Sequence, residues 1–118
     1  MYIVTMSQSK PPQEQIDYIL NLFKSNQIQQ ALDFIDTLSK DYPDKSLLFN
    51  IRGAGYAGLG QLDIAVQNYE KALSIKPDYA KAHYNLGSAL QELGKLHDSV
   101  KSYENSIALE PENAQAHN

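Results

Sequence analysis

Three prolines, Pro43, Pro77 and Pro111, stand 34 residues apart, and the same interval separates Gly53 from Gly87, Gly60 from Gly94, Tyr69 from Tyr103 and Glu70 from Glu104. A chain that repeats itself at this length folds by stacking like units, because one short unit cannot hide its apolar face and a row of them can. The apolar and small residues inside each unit have helical spacing. Ile28, Ala31, Leu32, Ile35 and Leu38 form one stripe, Leu62, Ala65, Val66, Tyr69 and Ala72 the next, and Leu96, Ser99, Val100, Tyr103 and Ser106 the third. Each stripe begins two residues after Asn26, Gly60 or Gly94, residues suited to close the preceding helix in a left-handed conformation, and stops a few residues before its proline. These signals predict paired helices over 13–25 and 28–41, 46–59 and 62–75, and 80–93 and 96–109.

The stretch Gly53-Ala54-Gly55-Tyr56-Ala57-Gly58 matches the glycine fingerprint of dinucleotide sites. Leu47 to Ile51 before it could pass for a strand, and Asp78 follows at about the twenty-residue distance of a ribose contact. The repeat decides against that reading. The glycines fall inside a predicted helix, whereas a phosphate cradle needs a helix N-terminus after them. The counterpart in the next unit, Gly87-Ser88-Ala89-Leu90-Gln91-Glu92, keeps only the first glycine. No cofactor is expected.

Composition narrows the function classes further. With 118 residues the chain is one small domain or a piece of a larger protein. A net charge of −4 with acids and bases interspersed offers no basic stripe for nucleic acid. The absence of cysteine removes disulfides, thiolate metal sites and a cysteine nucleophile, and fits a cytoplasmic protein. Residues 1–11, expected to be a flexible N-terminal segment, lack the basic start and apolar run of a secretion signal, and nothing later reaches the length of a membrane span. The histidines His83, His97 and His117 lack the spacing that would join two imidazoles on one metal, and Ser88 lacks a nucleophile-elbow context. Asp41, Asp44, Glu110 and Glu112 fall at turns, where they are expected to cap helix N-termini and hydrate the surface. Catalysis is not expected.

A 34-residue helix-turn-helix unit with a Leu-Gly pair, small residues at fixed places and a terminal proline resembles the tetratricopeptide repeat. Ala80 to Gly94, with Tyr103 and Pro111, carries the resemblance closely. Phe49, Gly53, Tyr56, Gly60, Ala65, Tyr69, Ala72 and Pro77 carry it in the middle unit. It covers residues 12–118, divided as repeats over about 12–45, 46–79 and 80–113 and the start of a fourth at 114–118. The implied fold is all-α, a right-handed superhelical solenoid of stacked helix pairs, here the N-terminal repeats of a longer bacterial protein. The first unit departs from the pattern and reads as a cap. Arg52 replaces the apolar residue at the place of Leu86, its stem expected to pack and its guanidinium to reach solvent or an acidic neighbour.

By the same resemblance the first helices of successive units line a concave face that receives an extended or helical peptide. The inward positions would be Asn50, Ala54 and Ala57 in the middle unit and Lys81, Tyr84, Asn85, Ser88, Gln91 and Glu92 in the third. The expected function is a non-catalytic scaffold for a protein or peptide partner, with no nucleic acid, membrane or metal. Some family members clamp a C-terminal carboxylate with lysines, asparagines and an arginine. Ile16, Leu20, Leu47, Ile51 and Ala54 at the equivalent places speak against that clamp. Two alternatives stand beside the scaffold. One is the N-terminal arm of a larger glycosyl- or sulfotransferase, suggested by the third unit. The other is a self-associating module: Ala114-Gln-Ala-His-Asn118 repeats the opening of the third unit, so either further repeats follow in the native protein, the favoured expectation, or copies associate through their terminal repeats.

If the stripes are core, Tyr69→Ala costs about 3–5 kcal/mol, a large share of the stability of so small a domain. Thermal unfolding checks this, and an unchanged midpoint removes Tyr69 from the core.

Overall fold

Backbone conformation at three points 34 residues apart divides the chain into its units. Asn26, Gly60 and Gly94 have φ of 61°, 80° and 82°, the left-handed region, which L side chains enter with strain and glycine enters freely. At each point two backbone bonds close the preceding helix. The N–H of Gln27 reaches the oxygen of Leu22 and that of Asn26 reaches Phe23; Gln61 and Gly60 bond Tyr56 and Ala57; Lys95 and Gly94 bond Leu90 and Gln91. This is the Schellman closure, which satisfies carbonyls a helix end leaves orphaned.

In the computed structural model, which describes residues 11–110, six helices result: α1 (Gln13–Lys24), α2 (Ile28–Ser39), α3 (Ser46–Gly58), α4 (Leu62–Ile75), α5 (Ala80–Glu92) and α6 (Leu96–Leu109). Every helix starts at the residue the stripes predict, and none ends more than two residues short. Among the described residues there is no strand, and the helices form an all-α helical-repeat solenoid. Expectations for residues 1–10 and 111–118, including Pro111, Glu112, His117 and the start of a fourth unit, lie outside the described residues. One local expectation is corrected. Among the described residues no helix has a side-chain N-cap; α3 is entered through Lys45 in extended backbone, and Asp41 and Asp44 are exposed without a capping bond. Between those acids Tyr42 is buried, so the entry into α3 is fixed by packing in place of a carboxylate.

Helices pack in chain order: α2 lies between α1 and α3, α4 between α3 and α5, and α6 packs on α5. One core cluster joins Ile16, Ile19 and Leu22 of α1 with Ala31, Leu32, Ile35 and Leu38 of α2 and Leu48 and Ile51 of α3. A second joins Ala65 and Tyr69 of α4 with Leu86, Ala89 and Leu90 of α5, and Tyr56 packs against both.

The mid-helix glycines mark where a unit's two helices meet most closely. A Cβ on Gly53 would lie 2.6 Å from Cε1 of Tyr69, and one on Gly87 would lie 2.9 Å from Cδ1 of Tyr103. In the first unit the same two places hold Ile19 and Ile35, both fully buried. A large ring against a missing side chain is there replaced by two middle-sized ones. The first unit is therefore repacked at its core. Beside Gly87, the Ser99 hydroxyl donates to the Gly87 carbonyl at 2.7 Å, a buried bond where the middle unit has Ala65.

Burial pushes the Tyr69 phenol up to about 12, with the Glu92 carboxylate adding to the shift. In the unfolded chain it ionises near 10, so between these values the unfolded state alone loses the proton and stability falls as pH rises. Urea midpoints should be level below pH 10 and drop towards pH 12, with a shallower drop in Tyr69→Phe. Gly53→Ala gains about 1 kcal/mol of helix propensity but must displace a buried ring, an overpacking that costs about 1–3 kcal/mol. The net expectation is a lower thermal midpoint, read by circular dichroism against Gly60→Ala, whose strain comes from φ with open space around it.

Candidate functional site

Positions 34 residues apart on α1, α3 and α5 share one helix face: Gln13, Leu47 and Lys81; Ile16, Asn50 and Tyr84; Leu20, Ala54 and Ser88; Phe23, Ala57 and Gln91. The first helices approach one another along this face. A Cβ on Gly55 of α3 would come within 3.3 Å of the Phe23 ring of α1, and α3 also packs on α5.

Of the residues expected there, Ala54, Lys81, Gln91 and Glu92 are exposed, and Ala57, Tyr84, Asn85 and Ser88 are half-buried. Asn50 differs. It is 7% exposed, and its amide is engaged on both sides. Its Nδ2 donates to the Tyr79 hydroxyl at 3.4 Å, and its Oδ1 accepts from Nδ2 of Asn85 at 3.0 Å. Asn50 is a support for the face, and Asn85 is what that support presents. Burial raises the Tyr79 phenol, partly offset by the Asn50 bond, so it stays a neutral hydroxyl. Tyr79 was not among the expected residues. It belongs to the turn before α5, with Lys76 over its ring at 5.5 Å.

Tyr84 is similarly held. Its ring lies 5.3 Å from that of Tyr103, whose hydroxyl donates to Gln91 Oε1 at 3.0 Å. One aromatic pair therefore orients two side chains of the face. At the α1 end the character changes: Leu20 and Leu47 are exposed and Phe23 is half-buried. Their places on the shared register are the signal that could have added them to the expected set. The face thus runs from an apolar end on α1 and α3 to a polar, aromatic end on α5, with the small residues Ala54 and Ala57 between.

The remaining candidates are structural. The Arg52 Nε donates to Asp36 at 2.9 Å, its guanidinium donates to Oδ1 of Asn68 at 3.2 Å, and it lies 5.5 Å from the centre of the Tyr56 ring. It ties α3 to α2 and α4, the packed stem and acidic neighbour its sequence position suggests. His83 Nε2 meets the Pro77 carbonyl at 2.9 Å, and His97 is exposed. Among the described residues no group of His, Asp or Glu has the arrangement to hold a metal, and no helix is long and apolar enough to cross a membrane. A shallow cleft of about 430 Å³ between Tyr18, Gln30, Asp33, Phe34 and Thr37 belongs to the first unit alone.

Comparison with known proteins places these features. A family model described as TPR repeat matches residues 55–94, and one described as Tetratricopeptide repeat matches 80–113; together they span half of the chain. The peroxisomal targeting signal receptor of Candida glabrata is 29% identical over 84 residues, which cover 71% of this chain and 14% of the receptor. That of Candida albicans is 36% identical over 67 residues, covering 56% and 11%. The chain thus spans about a seventh, or less, of these relatives' length. Among solved structures, the first TPR of Spaghetti (RPAP3) bound to the HSP90 peptide SRMEEVD is 26% identical with a TM-score of 0.77, over 80% of this chain and 75% of that one. The second TPR domain of human RPAP3 in complex with the HSP70 peptide SGPTIEEVD is 25% identical with a TM-score of 0.77, over 86% and 85%. The Sgt2 TPR domain from Aspergillus fumigatus, at 22% identity and a TM-score of 0.82 over 89% and 71%, shares the fold.

Proposed function

The chain belongs to the tetratricopeptide repeat family, and on that premise we propose that it is a non-catalytic scaffold receiving a peptide segment of a protein partner along the first-helix face. Two similar structures hold peptides, and the relatives found are targeting receptors, which supports a protein-binding role.

The observation that carries the reading is the chain of bonds from Tyr79 through Asn50 to Asn85. It uses one of the two N–H donors of Asn85 and fixes the plane of its amide. A half-buried amide held in this way is prepared to bond a peptide backbone without first losing rotamer freedom. Tyr84 beside it offers a flat apolar surface at low entropic cost.

The face also selects the ligand. Ile16, Leu20, Leu47 and Ala54 stand at first-helix places, so a carboxylate clamp is not the expected chemistry. The segment proposed has apolar side chains for the α1 end and hydrogen-bonding groups for Lys81, Asn85 and Gln91.

Combining Tyr84→Ala with Asn85→Ala should reduce partner recovery in a pull-down about tenfold or more while the helical circular dichroism signal is retained. Equal recovery by the wild type and the folded double variant would move the binding surface elsewhere.

A further inference from the structure

Arg52 shows how this fold holds a guanidinium. The group meets a carboxylate, Asp36, at 2.9 Å, a side-chain amide, Asn68, at 3.2 Å, and an aromatic ring, Tyr56, whose centre lies 5.5 Å away. A planar guanidinium stacks on a ring while its fork of N–H donors reaches acceptors at its edge, so these three group types together suit it better than a compact ammonium.

The cleft of about 430 Å³ in the first unit gathers the same three group types. Tyr18 and Phe34 supply the aromatic surface. They meet edge to face with centroids 4.9 Å apart, an arrangement that leaves ring face uncovered, and Tyr18 is 50% exposed. Asp33 supplies the carboxylate; one of its oxygens accepts from Gln29 at 3.1 Å, and it meets no cation among the described residues. Gln30 supplies the amide, and Thr37, whose hydroxyl donates to the Asp33 carbonyl at 3.2 Å, keeps its oxygen as an acceptor. Charge beside the rings is acidic on α1 as well, where Asp17 accepts from Gln13 at 3.0 Å.

This set is not part of the repeat. Thirty-four residues on, the places of Gln30, Asp33 and Thr37 hold Ile64, Gln67 and Lys71, and the ring places hold Arg52 and Asn68. In the third unit they hold Asp98, Lys101 and Asn105, with Leu86 and Ser102. Helices stack in those units without an aromatic pair beside a carboxylate, so stacking does not require one. The chain does not supply the missing cation either. Arg52 is its single arginine and is committed to Asp36 and Asn68, and a second copy would bring an arginine committed in the same way.

We infer that the first-unit cleft is a docking site for an arginine side chain of a partner protein, the guanidinium stacked on Tyr18 and Phe34 and bonded to Asp33 and Gln30. The inference is independent of the peptide-binding proposal, because none of these four residues belongs to the rows that form the first-helix face.

Nuclear magnetic resonance titration of the whole chain with acetyl-Ala-Arg-Ala-amide tests it. The backbone amides of Tyr18, Asp33, Phe34 and Thr37 should shift saturably with a dissociation constant of about 1 mM, as suits one side chain, while those of Ala54 and Asn85 stay in place. The lysine analogue should bind about fivefold more weakly or less still. Asp33→Asn and Tyr18→Ala, both at exposed sites, should each keep the helical circular dichroism signal and weaken binding about fivefold or more. Absence of saturable shifts at these residues, equal affinity for the lysine peptide, tighter binding of free arginine than of the capped peptide, or unchanged affinity in both folded variants would each overturn the inference.

Discussion

A tyrosine ring lying on a bare stretch of helix backbone sets the distance between the two helices of a unit, and the other contacts are arranged around that distance. At Gly53 and Gly87 the ring occupies the space a Cβ would need. Mid-helix glycine costs about 1 kcal/mol relative to alanine, and burying an aromatic side chain more than offsets it. The first unit shows what the constraint is. With Ile19 and Ile35 at the same two places, both fully buried, the combined volume is shared evenly and the helices still pair. What is constrained is the sum of two side chains across the contact.

A second pair of positions shows the same exchange with different chemistry. Tyr18 and Phe34 in the first unit meet edge to face with centroids 4.9 Å apart. Thirty-four residues on, the pair is Arg52 and Asn68, joined by a hydrogen bond at 3.2 Å, and Arg52 is also held by Asp36. In the third unit it is Leu86 and Ser102, both buried. Arg52 is tolerated at a place that is apolar in the third unit because acceptors on α2 and α4 face it. The ion pair is largely solvent-accessible and contributes little by itself. The stem and guanidinium between helices contribute through packing and geometry.

The helix positions were legible because the signals that set them are local. A left-handed residue every 34 positions ends a helix whatever surrounds it, and a stripe of helical period states which face is buried. What escaped the sequence depends on pairs from different units. Asn50 reads as an inward-facing polar residue until Tyr79 and Asn85, 29 and 35 residues away, are seen to close over it. The first unit reads as degenerate when residues are compared one at a time, since the compensation between Ile19 and Ile35 appears only across the contact. Asp41 and Asp44 failed as caps for a related reason. Residue type suggested a local bond, and the burial of Tyr42 against the core fixed the turn instead.

The face and the core are therefore not separate layers of design. Lys81, Gln91, Glu92 and Ala54 are exposed and can vary without disturbing the packing. Asn50 cannot, because truncating it would leave a part-buried Asn85 amide and a Tyr79 hydroxyl without their partner, and such groups cost about 1–3 kcal/mol each when unsatisfied. Asn50 belongs to the second unit, Asn85 to the third, and Tyr79 to the turn that joins them. A ligand group bonded to Asn85 thus attaches to the joint between two units as well as to one helix. In the proposed groove, recognition at Asn85 and the relative setting of α3 and α5 are coupled through one buried amide, so the surface residues choose the ligand while the joint holds the spacing at which they meet it.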